Sequence, residues 1–285
     1  MLDNDYFVGD LADKTGNYTV SLSSTAIKYT ISNVAKVSIF FDFMKSAEQN
    51  DYDMIKISAE IEIVPAGPAR DYGLDRSMVA GYGHDDRVCA YTSLRAVLDA
   101  GECEYTTCAI LVDKEEVGSI GATGAHSKFF ENTVAELINL TTTYSELKVR
   151  HAMENTKMLS SDVSAGFDPL FPGVNEAKNS AYLGNGICFN KFTGSRGKSG
   201  CNDAMPEFFA EIRKVMDDAD VNFQTAELGK VDQGGGGTIA YILGNYNMNV
   251  VDAGVAVLNM HAPYEISSKA DIYEAVKGYK AFLEW

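Results

Sequence analysis

The chain has 285 residues, 46% of them hydrophobic, so it can bury a substantial core in one large domain, or in one domain plus a small appendage. Its net charge of −16 repels nucleic acids and anionic membrane surfaces, so neither is an expected partner. No apolar run reaches the ~18 residues of a membrane helix, and the acidic start MLDNDYFVGDLADK is unlike a signal peptide. We therefore expect a cytoplasmic protein with no membrane contact.

The N-terminal segment, residues 1–56, predicts short β-strands and carries no chemistry that we recognise. Its stretch NYTVSLSSTAIKYTISNVAKVSIFFDF is rich in β-branched and aromatic residues, which favour strands. From Ala59, AEIEIVPAG alternates like a further strand, and a long connection punctuated by Pro and Gly leads to the acidic pair in GYGHDDR.

The middle of the chain predicts a helix, a buried strand and a second helix. RVCAYTSLRAVLDAG has apolar residues near helical spacing, with Gly101 placed as a C-terminal cap. YTTCAILVD is a nearly continuous apolar run of the kind that lies in the middle of a sheet, and it ends at a second acidic pair. HSKFFENTVAELINL then has a helical pattern. This alternation of strands and helices predicts an α/β layered fold.

The last third predicts two more helices and one buried strand. Pro206 suits the first turn of an amphipathic helix, and VVDAGVAVLNM is a buried-strand candidate that ends just before His261. Ser268 and Asp271 form a capping-box signature ahead of the final helix.

Acidic residues and one histidine follow four predicted strands: Asp85-Asp86, Glu115-Glu116, Asp162 and His261. Singly, an acidic pair is more often a solvated turn, and a lone histidine is more often a hydrogen-bonded core residue. Together they supply what two divalent cations require, because carboxylates and imidazole are typical zinc ligands. The pattern predicts a two-metal hydrolase in which one of two adjacent acids holds metal while its neighbour takes a proton from water.

From about Ile57 to the end, the motifs resemble, in order, the C-terminal catalytic portion of the aspartyl aminopeptidase family of zinc metallopeptidases. The matching runs are EIEIVPAGPARDYGLDRSMVAGYGHDDRVCAYTSL, LVDKEEVGSIGATG, FFENT, SSDVSAGFDP, NKFTGSRGKSG, GGGGTIA and VLNMHAPYEISSKADIYEAVKGYKAFL. The resemblance implies a three-layer α/β/α domain over residues 57–285, with a mixed central sheet and a two-zinc site that hydrolyses peptides at their N-terminal residue.

The resemblance also implies a role for each acidic or imidazole position. Asp85 would bridge the two metals and precede a cis peptide bond, Glu115 would be the general base, and Glu116 a terminal ligand. Asp162 would belong to the first metal and His261 to the second.

The chain departs from the family at its N-terminal end. Relatives are longer and contribute a further metal-binding histidine from a segment ahead of a second, β-rich domain, whereas residues 1–56 contain no histidine. Residues 1–56 would then be a remnant of that second domain, the catalytic domain would be incomplete, and the first zinc would be weakly held. The alternative is a truncated, non-catalytic member that acts as an interaction subunit.

The loop GSRGKSG and the glycine run after it are the candidate substrate-binding segments. The loop fails as a phosphate-binding loop because Phe192 stands where that pattern needs glycine. The family resemblance instead suggests that basic side chains here meet an acidic substrate side chain, although they could equally be solvated bases. The candidates for peptide binding are Lys191, Arg196, Lys198, Gly236 and Thr238. A homo-oligomer is also expected.

Overall fold

A computed structural model describes residues 18–19, 30–31, 34–39, 42–44, 56–58, 61–65, 67–196, 199–230, 232–233 and 235–285. The chain divides into two compact units, Met1–Arg70 and Asp71–Trp285. The described strands of the first unit are β1 Tyr18–Thr19, β2 Thr30–Ile31, β3 Val34–Ile39, β4 Asp42–Met44, β5 Lys56–Ser58 and β6 Ile61–Pro65. They pair antiparallel, β1 with β2, β3 with β6 and β4 with β5, so these parts of the N-terminal segment form the expected strands.

The second unit alternates strands and helices. Its strands, the first of which begins at the division, are β7 Arg70–Tyr72, β8 Met78–Gly81, β9 Lys157–Ser160, β10 Ser164–Ala165, β11 Ile187–Asn190, β12 Phe192–Ser195, β13 Ser199–Asp203, β14 Phe223–Thr225, β15 Asn249–Gly254, β16 Ala256–Leu258 and β17 Glu265–Ser268. Its helices are α1 His84–Asp99, α2 Phe129–Thr141, α3 Glu146–Glu154, α4 Pro206–Asp218, α5 Ala240–Gly244 and α6 Lys269–Glu284.

Two mixed sheets organise the second unit. The four-stranded sheet has the order β14-β11-β15-β9, in which only β11 and β15 pair antiparallel. The five-stranded sheet has the order β10-β16-β17-β8-β7, with β17 antiparallel to both of its neighbours. The strands β15 and β16 lie in different sheets but are separated by a single residue, so VVDAGVAVL links the two.

Helices cover both faces of the four-stranded sheet. Successive side chains of a strand point to opposite sides of the sheet, so neighbouring residues of β15 contact different helices. On one face, Val251 belongs to an apolar cluster that includes Ile212 of α4 and Tyr279 of α6. On the other face, Val250 belongs to a cluster that includes Met153 of α3 and Leu243 of α5. The predicted mixed α/β fold is confirmed.

The predicted helices form, but two details of their ends differ from expectation. Gly101 lies just past the C-cap residue of α1, Ala100, as a glycine cap does, but Ala100 is extended and Gly101 is not left-handed. At the start of α6, Ser268 accepts the main-chain N–H of Asp271 at 3.4 Å, which is half of a capping box. The Asp271 carboxylate instead accepts main-chain N–H groups of Gly184 and Gly186, at 2.8 and 2.7 Å.

The prediction that YTTCAILVD is a buried central strand is wrong. Residues 105–113 form no strand, and the side chains of Ile110 and Leu111 are 37% and 60% exposed. An extended segment becomes a strand only when a neighbouring strand satisfies its main chain and covers its side chains. Across the described ranges, no strand pairs with this segment, which leaves an apolar run at the surface.

No helix in the part of the chain that the structure describes has the length and apolar character needed to cross a bilayer.

Candidate metal centre

Asp85 lies in the first turn of α1, where its own main chain and that of Asp86 depart from helical geometry. Gly83 takes a left-handed conformation, with φ 74°, and its carbonyl accepts the main-chain N–H of Arg87 at 3.3 Å. The peptide bond between Asp85 and Asp86 is cis, as the resemblance implied. The Asp85 side chain is only 10% exposed, so its carboxylate is largely shielded from water.

His261 follows β16 and points its imidazole at the Asp85 carboxylate. Its main chain is left-handed, with φ 66°, which is uncommon for a residue with a side chain. The ring Nε2 lies 2.8 Å from Asp85 Oδ2 and 3.0 Å from Glu116 Oε1. One potential ligand atom from each of Asp85, Glu116 and His261 falls within 4.8 Å of the others, and we call this the histidine group.

Glu115 and Glu116 lie on a short 3-10 turn, Glu115–Val117, rather than at the end of a strand. Lys114 ahead of the turn is left-handed, and its carbonyl accepts main-chain N–H groups of Val117 and Ser119 at 3.2 and 2.7 Å. The turn brings Glu116 to His261. Burial and the neighbouring Glu116 raise the pKa of the Glu115 carboxyl, while His261 opposes that rise.

Asp162, just after β9, joins Asp85 and Asp86 in a second cluster, which we call the carboxylate group; its ligand atoms also lie within 4.8 Å of one another. Burial is the main cause of a raised pKa at all three: about 6 for Asp85, about 8 for Asp86 and well above the ordinary range for Asp162. Asp86 Oδ1 is buried and has no hydrogen-bond partner. The sequence had not singled out Asp86 as a ligand.

These two groups fit divalent cations. Buried carboxylates that lie together repel one another and lose hydration, so they remain ionised only when a cation or donor compensates them. The unpartnered Asp86 Oδ1 lacks such compensation. Aspartate, glutamate and histidine are ligands of zinc, and Asp85 belongs to both groups. The donor atoms of these two groups are therefore of the kind that zinc binds.

The raised carboxyl pKa values predict how stability depends on pH when metal is removed. A carboxyl whose folded pKa exceeds its unfolded value, ~4, stabilises the fold at low pH, and this contribution disappears as the pH rises through the folded pKa. With pKa values of about 6 for Asp85 and about 8 for Asp86, the chelator-treated chain should lose stability between about pH 4 and 8. Each kcal/mol lost should lower the melting temperature by roughly 2–4 °C.

Melting curves recorded across this pH range, with chelator or with zinc, check the prediction. Zinc should remove most of the loss, and Asp86→Asn should flatten the chelator curve by removing the buried acid. A chelator curve that rises with pH in this range would contradict the charge distribution described here.

Glu265, at the start of β17, is a residue of this site that the sequence reasoning missed. It is 2% exposed, and its two carboxylate oxygens accept main-chain N–H groups of Asp85, at 3.1 Å, and of His261, at 2.8 Å. The only signal in the sequence was its spacing, four residues after His261 in HAPYE.

The other three histidines lie outside both groups of candidate ligands. His84 Nδ1 is 2.9 Å from the Ser267 hydroxyl in a buried contact, and burial lowers its pKa. His126 Nε2 is 3.2 Å from the Tyr241 hydroxyl, and His151 lies on α3. In the described ranges, none of them joins Asp162, so the carboxylate group has no imidazole.

Two basic candidates for substrate binding, Lys191 and Arg196, lie beside and at the tip of the β12–β13 hairpin. Lys191 forms an ion pair with Asp203. Arg196 is at the tip with a left-handed main chain, φ 50°, while Lys198 lies outside the described residues.

The glycine run packs against this hairpin. The Gly236 carbonyl accepts the main-chain N–H of Gly194 at 3.0 Å. Thr238 is 4% exposed and donates its hydroxyl to the buried Asp252 at 2.5 Å. The Thr238 hydroxyl is thus engaged in the interior, and the Gly236 main chain is joined to the hairpin.

The fold is mixed α/β, and it carries one group of carboxylates with an imidazole and a second group of carboxylates alone, features typical of metal-dependent hydrolases. The family model for the aminopeptidase I zinc metalloproteases (M18) matches residues 27–283, and the chain belongs to this family. The resemblance seen in the sequence is therefore confirmed at the level of the family.

Relatives and solved structures agree with this assignment. The chain is 69% identical over 227 residues to a probable M18 family aminopeptidase 1 of Clostridium acetobutylicum, covering 80% of this chain and 49% of that protein. For the Thermotoga maritima protein of the same name the identity is 42% over 267 residues, covering 93% and 57%. The crystal structure of aminopeptidase I from C. acetobutylicum superposes with a TM-score of 0.74 at 68% identity, covering 79% of this chain and 48% of that one. The chain thus spans about half the length of these relatives.

Proposed function

We propose that the chain is the metal-binding, catalytic portion of an aminopeptidase that releases N-terminal residues from peptides at a dinuclear zinc site. The observation that supports this most strongly is that Asp85 belongs to both groups of candidate ligands. A carboxylate has two oxygens, so it can serve both positions of a metal pair that lie ~3.5 to 4 Å apart.

The two positions differ in their ligands. Glu116 and His261 would complete the histidine group, a three-ligand set of the kind that leaves a coordination position open in catalytic zinc sites. Asp162, with Asp86 beside it, would hold the other ion. When bound, zinc would lower the pKa of water and polarise the carbonyl of the scissile peptide bond.

Glu115 is our candidate for the general base. It lies next to the candidate ligand Glu116 on one short turn, and its carboxyl is close enough to Glu116 and His261 for both to influence its pKa. Partial burial raises its pKa, and a carboxylate with a raised pKa is a better proton acceptor near neutral pH. Glu115 would accept a proton from the attacking water and return it to the departing amine.

A preference for acidic N-terminal residues would come from the basic residues of the β12–β13 hairpin. Arg196 and Lys198 are the candidates, and Lys191 would contribute only if it leaves its ion pair with Asp203. The Gly236 main chain beside the hairpin would approach the peptide closely, since glycine has no side chain to obstruct it. Thr238 would act through the packing of this loop, because its hydroxyl is held by Asp252.

Hydrolysis of the p-nitroanilides of Asp, Glu and Leu tests the proposed function. We expect turnover with added zinc or manganese, its loss after chelation, and its return on remetallation. Arg196→Gln should lower kcat/KM for Asp and Glu substrates while sparing Leu, because only the acidic side chains need a cation. Absence of turnover in the fully metallated, folded chain would contradict the catalytic proposal.

A second candidate, a non-catalytic interaction subunit, is favoured by one observation. Residues 105–113 include an apolar run whose Leu111 side chain is 60% exposed, and this run lies shortly before the Glu115–Val117 turn in the sequence. A folded chain that binds zinc, hydrolyses none of the three substrates and gains no activity with manganese would support this alternative.

We also propose that the chain forms homo-oligomers. Exposed Leu111, Leu140 and Leu170, at 60%, 78% and 81%, are typical of apolar surface that a partner covers. Light scattering across a concentration series should show species larger than the 31.0 kDa monomer despite the net charge of −16. Leu111→Lys should shift the distribution towards monomer, whereas a monomer at every concentration would contradict the proposal.

All five cysteines are free thiols in the structure. The cytoplasmic location stays a prediction.

A further inference from the structure

Glu265 is a buried carboxylate that joins the two chain segments carrying Asp85 and His261. One oxygen, Oε2, accepts the Asp85 N–H at 3.1 Å, and the other, Oε1, accepts the His261 N–H at 2.8 Å. These segments follow different strands, β8 and β16, and the two histidine-group ligands that they carry lie 176 positions apart in the sequence. One side chain therefore sets the distance between two main-chain positions of the site.

The strand that carries Glu265 is well placed for this task. β17 lies between β8 and β16 in the five-stranded sheet, and Glu265 pairs in register with Gly81, the last residue of β8. The sheet thus fixes the Glu265 main chain directly beside the ends of the two strands that lead to the ligands. At 2% exposure, water does not compete for its carboxylate.

The conformation of His261 adds a reason for such a contact. Its φ of 66° is a left-handed conformation that costs free energy for a residue with a side chain, so the surroundings must hold it. The hydrogen bond that the His261 N–H donates to Glu265 is the shorter of the two that Glu265 accepts from these segments.

We infer that Glu265 is a positioning residue for the metal centre: its carboxylate holds the main chains of Asp85 and His261 so that their side chains meet at one ion. The inference rests on the proposed metal site. Glutamine at this position would keep one acceptor but turn an NH₂ donor towards a main-chain donor, which breaks one of the two bonds and sets two donors against each other. The ligand side chains would remain, but the distance between them would no longer be fixed.

Asp271 offers a matched control. It is also a buried carboxylate, 0% exposed, and it also accepts two main-chain N–H groups, those of Gly184 and Gly186 at 2.8 and 2.7 Å. It belongs to neither group of candidate ligands. Asp271→Asn therefore also removes a buried carboxylate that accepts two main-chain hydrogen bonds. It does so without altering a segment that carries a candidate ligand.

The experiment titrates cobalt(II) into the metal-free full chain and follows its visible absorption, which responds to ligand geometry, alongside a melting curve for each variant. We expect Glu265→Gln to weaken cobalt binding about 10- to 100-fold, as for other residues that orient metal ligands, and to change the spectrum. Glu265→Asp keeps both acceptor oxygens on a shorter side chain and should recover part of the affinity; it also carries the test if Glu265→Gln does not fold. Asp271→Asn should melt at a lower temperature with unchanged affinity and spectrum.

The outcomes separate the two proposals. Wild-type chain that binds no cobalt overturns the proposed metal site, and this inference with it. If the wild-type chain binds cobalt and the Glu265 variants match its affinity and spectrum, the inference about Glu265 is overturned while the proposed metal site stands. Equal losses of cobalt affinity in Glu265→Gln and Asp271→Asn would also overturn the inference, because a general loss of stability would then explain both results.

Discussion

Asp85→Asn should remove zinc from both positions of the proposed site, whereas substitutions at other ligands should affect mainly one. Asp85 is the residue that the histidine group and the carboxylate group share. Asparagine has nearly the same shape but lacks the charge, and its NH₂ cannot bind a cation. We expect zinc affinity to fall by more than ~100-fold at both positions, since loss of an orienting residue alone costs about 10- to 100-fold.

Zinc content after gel filtration checks this result, with Asp99→Asn as the control. Asp99 lies on the same helix, α1, but is exposed and pairs with Arg95 at 2.7 Å, so its substitution should leave zinc unchanged. His261→Ala should lower the occupancy of one position only. Undiminished zinc in Asp85→Asn would mean that the two groups do not form a shared site.

Glu115→Gln should lower kcat by about 10²- to 10⁴-fold, the usual contribution of a general base, while zinc content stays unchanged. Glutamine preserves the shape of the side chain but cannot accept the proton. Glu116→Gln is the matched control. In the native chain, Glu116 Oε1 lies 3.0 Å from His261 Nε2 in the histidine group, so we expect this variant to lose zinc as well as turnover.

Initial rates with the best of the three p-nitroanilides, together with elemental analysis of each variant, distinguish the two roles. If Glu115→Gln loses zinc to the same extent as Glu116→Gln, Glu115 is a ligand rather than a base. If Glu115→Gln retains wild-type turnover, the assignment of the base is wrong.

Local sequence signals were sufficient to predict the helices and strands that pack against each other in the core. The apolar spacing from Phe208 to Met216 gave α4, and the run VVDAGVAVL gave β15 and β16, because burial on a sheet imposes these periodicities. The same reasoning failed for YTTCAILVD. An apolar run becomes a strand only when it pairs with a neighbouring strand, and whether a neighbouring strand is available depends on the whole fold rather than on the local sequence.

The site could be predicted in part. The positions Asp85, Glu116, Asp162 and His261 were identified by residue type and by resemblance, and the structure brings Asp85 together with each of the others. Glu265 could not be found in this way, because its two contacts, with Asp85 and His261, exist only once β8, β16 and β17 lie side by side. The inclusion of Asp86 in the carboxylate group likewise depends on the distance between its carboxylate and that of Asp162 in the folded chain, which no local pattern reveals.

The two metal positions should also differ in their affinity for zinc, since only the histidine group includes an imidazole. Zinc must displace protons from Asp86 and Asp162, whose pKa values burial has raised, so affinity at the carboxylate group should increase steeply with pH.

Calorimetric titration of zinc into the metal-free chain tests the central claim, a pair of metal positions sharing one carboxylate, most directly. We predict two unequal binding steps: a tighter one that His261→Ala abolishes, and a weaker one that strengthens with pH and that Asp162→Asn abolishes. A single step that neither substitution alters, or no binding at all, would contradict the account.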